Sequence, residues 1–194
     1  MRFHSDEYIK YLKETGHISR ELHWHFNSSF KEQEGVGSID CPLFEGVLDY
    51  SKLCAGGSMQ SAIKINKGEF DTTINWSGGH HHAKKASCAG FCYINDIVLA
   101  ILELLRRHKW VLYIDIDVHH GDGVEEAFYN TDRVLTLSFH EFHEGFFPES
   151  GPLSSKGKGE GKNYAVNVPF DQGMYGSHYV RLFKIITSEV VRKY

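Results

Sequence analysis

The 194-residue sequence has no apolar run approaching the ~20 residues that a membrane-spanning helix needs, which argues against a helical integral membrane protein. Its start, Met1-Arg2-Phe3-His4-Ser5-Asp6-Glu7, lacks the apolar core of a secretory signal, so an intracellular location is expected. There are only four cysteines, Cys41, Cys54, Cys88 and Cys92, without zinc-finger spacing or the density of a disulfide framework. They read as free thiols in a reducing compartment. Positive charge is not in excess: 21 Lys and Arg face 25 Asp and Glu, a formal net charge of -4, which argues against a general affinity for nucleic-acid backbone. Repeats and low-complexity tracts are absent, and no shift in composition marks a domain boundary. With 41% hydrophobic and 24% charged residues, the chain has the composition and length of one globular domain with a real core.

What is present is a strand that ends in chemistry. The run Tyr113-Ile114-Asp115-Ile116-Asp117-Val118-His119-His120-Gly121-Asp122-Gly123 begins as an apolar strand and closes on carboxylates and imidazoles. Side chains on a strand alternate faces, so Asp115, Asp117 and His119 are expected in one row. Carboxylates buried on such a strand are costly unless paired or metal-bound, which favours a metal site, although buried carboxylates can also be structural. Upstream, Gly78-Gly79-His80-His81-His82-Ala83-Lys84-Lys85 supplies imidazoles that could move protons beside a metal; histidine triplets also occur in solvated loops. Together the two clusters point to metal-assisted hydrolysis.

Around them the pattern alternates helices and strands. Asp6 to Glu14 reads as a short helix with Tyr8, Ile9 and Leu12 on one side, followed by a polar, aromatic stretch that Cys41-Pro42 breaks. Ser51 to Lys67 reads as a helix weakened by Gly56-Gly57, and Thr72 to Trp76 as a strand. Asn95-Asp96 can cap a helix from Ile97 to Arg107, and the metal strand spans Trp110 to Asp117. Asp122 and Glu125 resemble a capping box opening a helix from Gly123 to Tyr129. Strands follow at Arg133 to Phe139 and Tyr164 to Val168, then a helix carrying Tyr179, Leu182, Phe183, Ile186 and Val190. This alternation implies a parallel sheet covered on both faces, with ligands beyond the carboxyl ends of the strands, where both histidine-bearing loops fall. The glycine-rich segment Lys156 to Lys162 lacks Walker spacing and reads as a mobile surface loop. Phe142, Phe146 and Phe147, in the loop from His140 to Pro148, could line a channel for an alkyl chain, although core packing explains any one of them.

Taken together, Asn75-Trp76-Ser77-Gly78-Gly79, His81-His82-Ala83-Lys84-Lys85, Gly90-Phe91-Cys92-Tyr93, Asn95-Asp96 and Asp115 to Glu125 resemble the class I histone deacetylases. The similarity runs from Met1-Arg2-Phe3-His4 through Ala165-Val166-Asn167-Val168-Pro169. It implies an α/β fold of the arginase/deacetylase kind, three-layer α/β/α with a mostly parallel sheet, here incomplete, and zinc-dependent hydrolysis of acetyl-lysine. Asp117 and His119 match two zinc ligands. His81 and His82 match the general base and acid, with Asp115 and Asp122 as the carboxylates that orient them. Asp115 also matches a ligand of a potassium site, joined by Ser138 and by carbonyls such as those of Asp117, His119 and Phe139. Gly90, Phe91 and Phe147 match the walls of the lysine tunnel, and Asp40 the rim carboxylate that holds the substrate backbone. Implied partners are acetylated histone tails or other acetyl-lysine proteins and corepressor subunits, in the nucleus and secondarily the cytoplasm.

The same resemblance makes residues 1–194 a single partial catalytic domain, a central slice of the family's. The family's third zinc ligand, an aspartate, and its oxyanion tyrosine lie in later elements and have no counterpart here. His80 stands where relatives place an apolar or aromatic residue, and Glu149-Ser150-Gly151-Pro152 replaces a Gly-Thr-Gly-Asp type of turn. Three functions follow: a lysine deacetylase, a truncated non-catalytic relative acting by binding corepressor partners or acetylated tails, or, less well matched, an amidohydrolase of acetylated polyamines.

Overall fold

Apolar periodicity sorts the second half of the chain into a parallel sheet with helices on both faces. The computed structural model describes residues 3–15 and 35–194. Met1-Arg2 and most of the polar, aromatic stretch before Cys41 lie outside the described residues. The elements are α1 (Asp6–Thr15), α2 (Val47–Asn66), α3 (Asp96–Leu104), β1 (Val111–Asp115), α4 (Asp122–Phe128), β2 (Val134–Glu141), β3 (Ala165–Phe170) and α5 (Gly176–Lys193).

The strands lie in the order β1-β2-β3, all parallel, with Asp115 beside Ser138 and Ser138 beside Asn167. Alternation then decides what each face meets. Val111, Tyr113 and Val134 turn toward Val98 and Ile101 of α3 and Val124 and Phe128 of α4. Leu112, Ile114, Leu135, Leu137 and Phe139 turn toward Tyr179, Leu182, Phe183, Ile186 and Val190 of α5. The result is the three-layer α/β/α arrangement expected from the sequence. Tyr8 and Leu12 of α1 pack with Val47 and Leu48 of α2 in a separate cluster, pinned by the Tyr8 hydroxyl donating to the Tyr93 carbonyl at 2.9 Å.

Helix starts follow local chemistry and packing. Asn95 caps α3 as expected, its Oδ1 accepting the Val98 N–H at 3.0 Å. The helix expected from Ser51 begins earlier, at Val47, and passes unbroken through Gly56-Gly57. Burial of Val47, Leu48, Cys54 and Ala55 outweighs the glycine cost of about 1 kcal/mol per residue.

Four expectations fail. Thr72 to Trp76 is not a strand; the Asn75 side chain ties it to α2 instead, donating to the Cys54 carbonyl at 2.9 Å and to Ser58 Oγ at 2.8 Å. The glycine-rich segment lies at the surface as expected but is pinned there rather than mobile, through a 3-10 turn at Gly159–Gly161 and the Lys158 N–H on the Tyr129 carbonyl at 2.9 Å. Asp122 and Glu125 form no capping box: Gly121 is the N-cap, and both carboxylates are engaged elsewhere. Finally, β1 stops at Asp115 rather than running to Asp117. There Asp115 Oδ1 accepts the Asp117 N–H at 3.0 Å and Asp117 Oδ1 the His119 N–H at 2.8 Å. These side-chain turns replace the strand ladder.

All four cysteines are buried, and among the described residues none forms a disulfide, as expected. Among the described residues no helix is long and apolar enough to cross a membrane.

Candidate active site

The two histidine-bearing segments meet beyond the carboxyl ends of β1 and β2. His81 Nδ1 donates to Asp115 Oδ2 at 2.6 Å, and His82 Nδ1 to Asp122 Oδ1 at 2.7 Å. All four side chains are buried. Each donation fixes the tautomer of a neutral ring, leaving Nε2 as its acceptor.

Each carboxylate has a second partner that the sequence reading did not assign. The hydroxyl of the half-buried Tyr113 donates to Asp115 Oδ2, and Lys84 Nζ lies 3.2 Å from Asp122 Oδ2 and 3.1 Å from Glu126 Oε2. Their signals were spacing alone: Tyr113 is two residues from Asp115 on the same strand face, and Lys84 two residues beyond His82.

These partners shape the titration of the pairs. Burial disfavours charge on His81, but the hydrogen bond and charge of Asp115, aided by Asp117 and Asp122, outweigh it and hold His81 above its usual pKa. At His82 burial prevails, reinforced by the neighbouring His81, and the pKa falls despite Asp122. Burial works against the carboxylates of Asp115 and Asp122 as well. Their histidines, with Tyr113 at Asp115 and Lys84 at Asp122, still hold both below the usual range.

Asp117 and His119 leave the strand and stand at the mouth. The Asp117 side chain is 50% exposed, so the expected pair of buried aspartates reduces to Asp115 alone. The expected row of three ligands is likewise split, since only Asp115 belongs to the strand. Asp117 Oδ1 lies 3.1 Å from His119 Nδ1 and 4.0 Å from His81 Nε2. Carboxylate and imidazole are the donors that zinc takes, but a catalytic zinc needs three protein ligands. Among the described residues no group of three or more His, Cys, Asp or Glu side chains is arranged to hold a metal ion. Beneath the mouth, Asp115 and Ser138 are neighbours in register, and the Ser138 hydroxyl pairs with His140 Nδ1 at 2.9 Å.

Aromatic side chains wall the mouth. The Phe146 ring stacks on His119 at 5.2 Å between centroids, and Phe147 meets His82 edge-on at 4.8 Å. Phe142 belongs to neither contact. Gly90 has φ 51°, and a Cβ there would lie 2.5 Å from the His82 ring and 3.0 Å from Phe147; the wall has room only for glycine. Phe91 is 70% exposed. Asp40 turns back into this wall, Oδ2 accepting the Gly90 N–H at 2.9 Å and Oδ1 the Ser38 hydroxyl at 2.6 Å. The hydroxyl, then the amide, hold its pKa below the usual value.

A buried polar knot, also missed by the sequence reading, centres on Glu125 and includes His120. Glu125 accepts from Asn167 Nδ2 at 2.6 Å, Ser155 Oγ at 2.8 Å and His120 Nε2 at 3.2 Å. It joins α4, β3 and the loop after β2.

The sequence that places these two imidazole–carboxylate pairs beside Asp117 and His119 has matches among known proteins. Residues 1–194 match the Histone deacetylase domain. Over 193 residues, covering 100% of this chain, it is 50% identical to Histone deacetylase 1 of Homo sapiens and 51% identical to Histone deacetylase HDAC1 of Drosophila melanogaster. It is also 50% identical to Histone deacetylase RPD3 of Saccharomyces cerevisiae. The alignments cover 39%, 36% and 43% of those proteins, respectively, so the chain spans about two fifths of their length. The domain match over all 194 residues and half-identity to proteins of human, fly and yeast agree with the α/β architecture, and the chain belongs to the histone deacetylase family.

Proposed function

We propose that residues 1–194 act as a single domain unit in the zinc-dependent hydrolysis of acetyl-lysine in histones or other proteins, and so in transcriptional repression at chromatin. The observation that carries this reading is the pair of parallel dyads, His81–Asp115 and His82–Asp122, opening beside Asp117 and His119. His81 and His82 serve as general base and general acid. With Nδ1–H held by a carboxylate, Nε2 of a neutral ring can take a proton from water, and a protonated ring can give one to the departing lysine amine. Asp115 and Asp122 hold the rings in the working tautomer. Gly90, Phe91 and Phe147 enclose the lysine stem, and Asp40 serves the substrate backbone at the rim.

When bound, zinc supplies Lewis-acid polarisation of the acetyl carbonyl and a more acidic water; Asp117 and His119 would hold it, with a further donor from outside the described residues. Asp115 and Ser138, with the carbonyls of Asp117, His119 and Phe139, are the proposed potassium ligands. Acetylated histone tails and corepressor subunits are the proposed partners, in the nucleus and secondarily the cytoplasm.

The test is hydrolysis of an acetyl-lysine histone peptide by the purified chain with added zinc, against an Asp117→Asn control. Turnover that the control abolishes supports the reading; a folded chain without turnover defeats it. That second outcome fits a non-catalytic protein that binds corepressor partners or acetylated tails, a reading favoured by the absence of a third metal donor among the described residues.

A further inference from the structure

Two motifs of the family pattern have no part in the chemistry above: Asn75 to Gly79, and Asn95-Asp96. In the fold they meet. Asp96 opens α3 and is 1% exposed. Among the described residues no Lys, Arg or His pairs with it. A buried carboxylate without a countercharge persists only where several donors satisfy it, and Asp96 has three. The Gly79 N–H lies 3.1 Å from each of its oxygens, the His80 N–H donates to Oδ1 at 2.8 Å, and the Ser58 hydroxyl to Oδ2 at 2.5 Å. Ser58 Oγ in turn accepts from Asn75 Nδ2. The hub is closed: a Cβ on Gly78 would lie 2.5 Å from Asp96 Oδ2, 2.8 Å from Ser58 Oγ and 3.0 Å from Asn75 Nδ2.

Helix capping does not account for this arrangement. Asn95 already caps α3 through its Oδ1, whereas the Asp96 carboxylate turns away from the helix to the loop before His81. The Asn95 carboxamide grips the other end of the same loop, Nδ2 donating to the Ala83 carbonyl at 2.9 Å and reaching the His81 carbonyl at 3.4 Å. Adjacent side chains thus hold one loop at both ends, Asp96 by its N–H groups on entry and Asn95 by its carbonyls on exit. His81 and His82 are the span between.

We propose that Asp96 is a positioning residue: by fixing the backbone at Gly79 and His80 it sets the direction in which His81 and His82 present Nε2. The proposal rests on the deacetylase reading for its catalytic consequence, not for its geometry. Asp96→Asn keeps the size of the side chain but replaces one acceptor oxygen with an NH2 group facing donors. Three readouts apply to the 194-residue chain: ring 15N–1H correlations of His81 and His82, amide exchange at Gly79, His80 and Val98, and kcat and KM on an acetyl-lysine peptide.

In Asp96→Asn, exchange at Gly79 and His80 rises about tenfold or more and the His81 and His82 ring signals move. Exchange at Val98, held by Asn95, does not change. Peptide turnover loses on the order of 100-fold in kcat, with KM within about twofold. Ser58→Ala, which removes one donor, moves the same signals less and carries the test if Asp96→Asn does not fold. Unmoved ring signals in a folded variant overturn the proposal. A wild-type chain without turnover defeats the deacetylase reading, while the ring and exchange measurements still decide what Asp96 does.

Discussion

The His81 and His82 rings lie 3.9 Å apart, tilted by 47°, and each turns Nδ1 to a different carboxylate. The second partners of those carboxylates differ in charge. Asp115 is shared with the neutral Tyr113 hydroxyl and keeps its full charge for His81. Asp122 is shared with the Lys84 ammonium, which offsets the charge that His82 feels. The two rings in contact also differ in basicity: the hydrogen bond and charge of Asp115 overcome burial at His81, while burial and the neighbouring His81 prevail at His82.

In the metal-free chain, His81 is expected to titrate above 6.5 and His82 below it, the directions set by Asp115 on one side and by burial on the other. A 15N titration of the ring signals reads both. Asp115→Asn removes the opposing charge and leaves burial, so the His81 pKa drops below 6.5. An unchanged His81 curve in that variant means that Asp115 is not the cause.

Substitution of Asp122 tests orientation at the second ring. Asp122→Asn can present an NH2 group to His82 Nδ1 and so favour the wrong tautomer, with an expected fall in kcat on the order of 100-fold or more. Lys84→Met leaves the Asp122–His82 hydrogen bond in place but removes the countercharge, so its main effect is a higher His82 pKa and a displaced pH–rate profile. A Lys84→Met profile superimposable on wild type removes Lys84 from the account.

Two buried histidines outside the dyads make the fold sensitive to acid. Burial, the largest influence, lowers both His4 and His140 from 6.5 to about 4. His4 Nε2 also accepts the Asn95 N–H at 3.0 Å, a role open only to the neutral ring. Between about pH 4 and 6.5 the unfolded chain binds more protons than the folded one, so stability rises with pH in that window. It is fully present above 6.5 and is lost as pH falls through about 4. His81 acts oppositely, its pairing being lost as pH rises through its raised pKa. Thermal unfolding at pH 4.5 is expected on the order of 5 °C below that at pH 7, and a flat midpoint across the window contradicts it.

Much of this was legible in the sequence because it is local. Asn95 announced the start of α3, and the spacing of Tyr179, Leu182, Phe183, Ile186 and Val190 announced the face of α5. What was not legible depends on partners distant in sequence. Thr72 to Trp76 has strand-like residues, yet Asn75 finds its acceptors on α2. Asp122 and Glu125 have capping-box spacing, yet His82 and Asn167 claim them. Asp117 looked buried because alternation was carried past Asp115, where side-chain turns had already ended the strand.

The Asp117–His119 pair supplies the last prediction. Its donors are partly exposed, and Asp117 Oδ1 is already close to His119 Nδ1, so a metal must compete with that contact and finds two protein ligands among the described residues where a catalytic zinc uses three. Zinc affinity measured by competition with a chromophoric chelator is therefore expected to be weak for this chain and pH-dependent, since both ligands must be deprotonated. His119→Ala should weaken it by at least about tenfold. Asp117→Asn should do the same while changing stability by no more than about 0.5 kcal/mol, because the side chain lies outside the core. Zinc bound equally well by both variants would place the metal elsewhere and detach the pair from the chemistry.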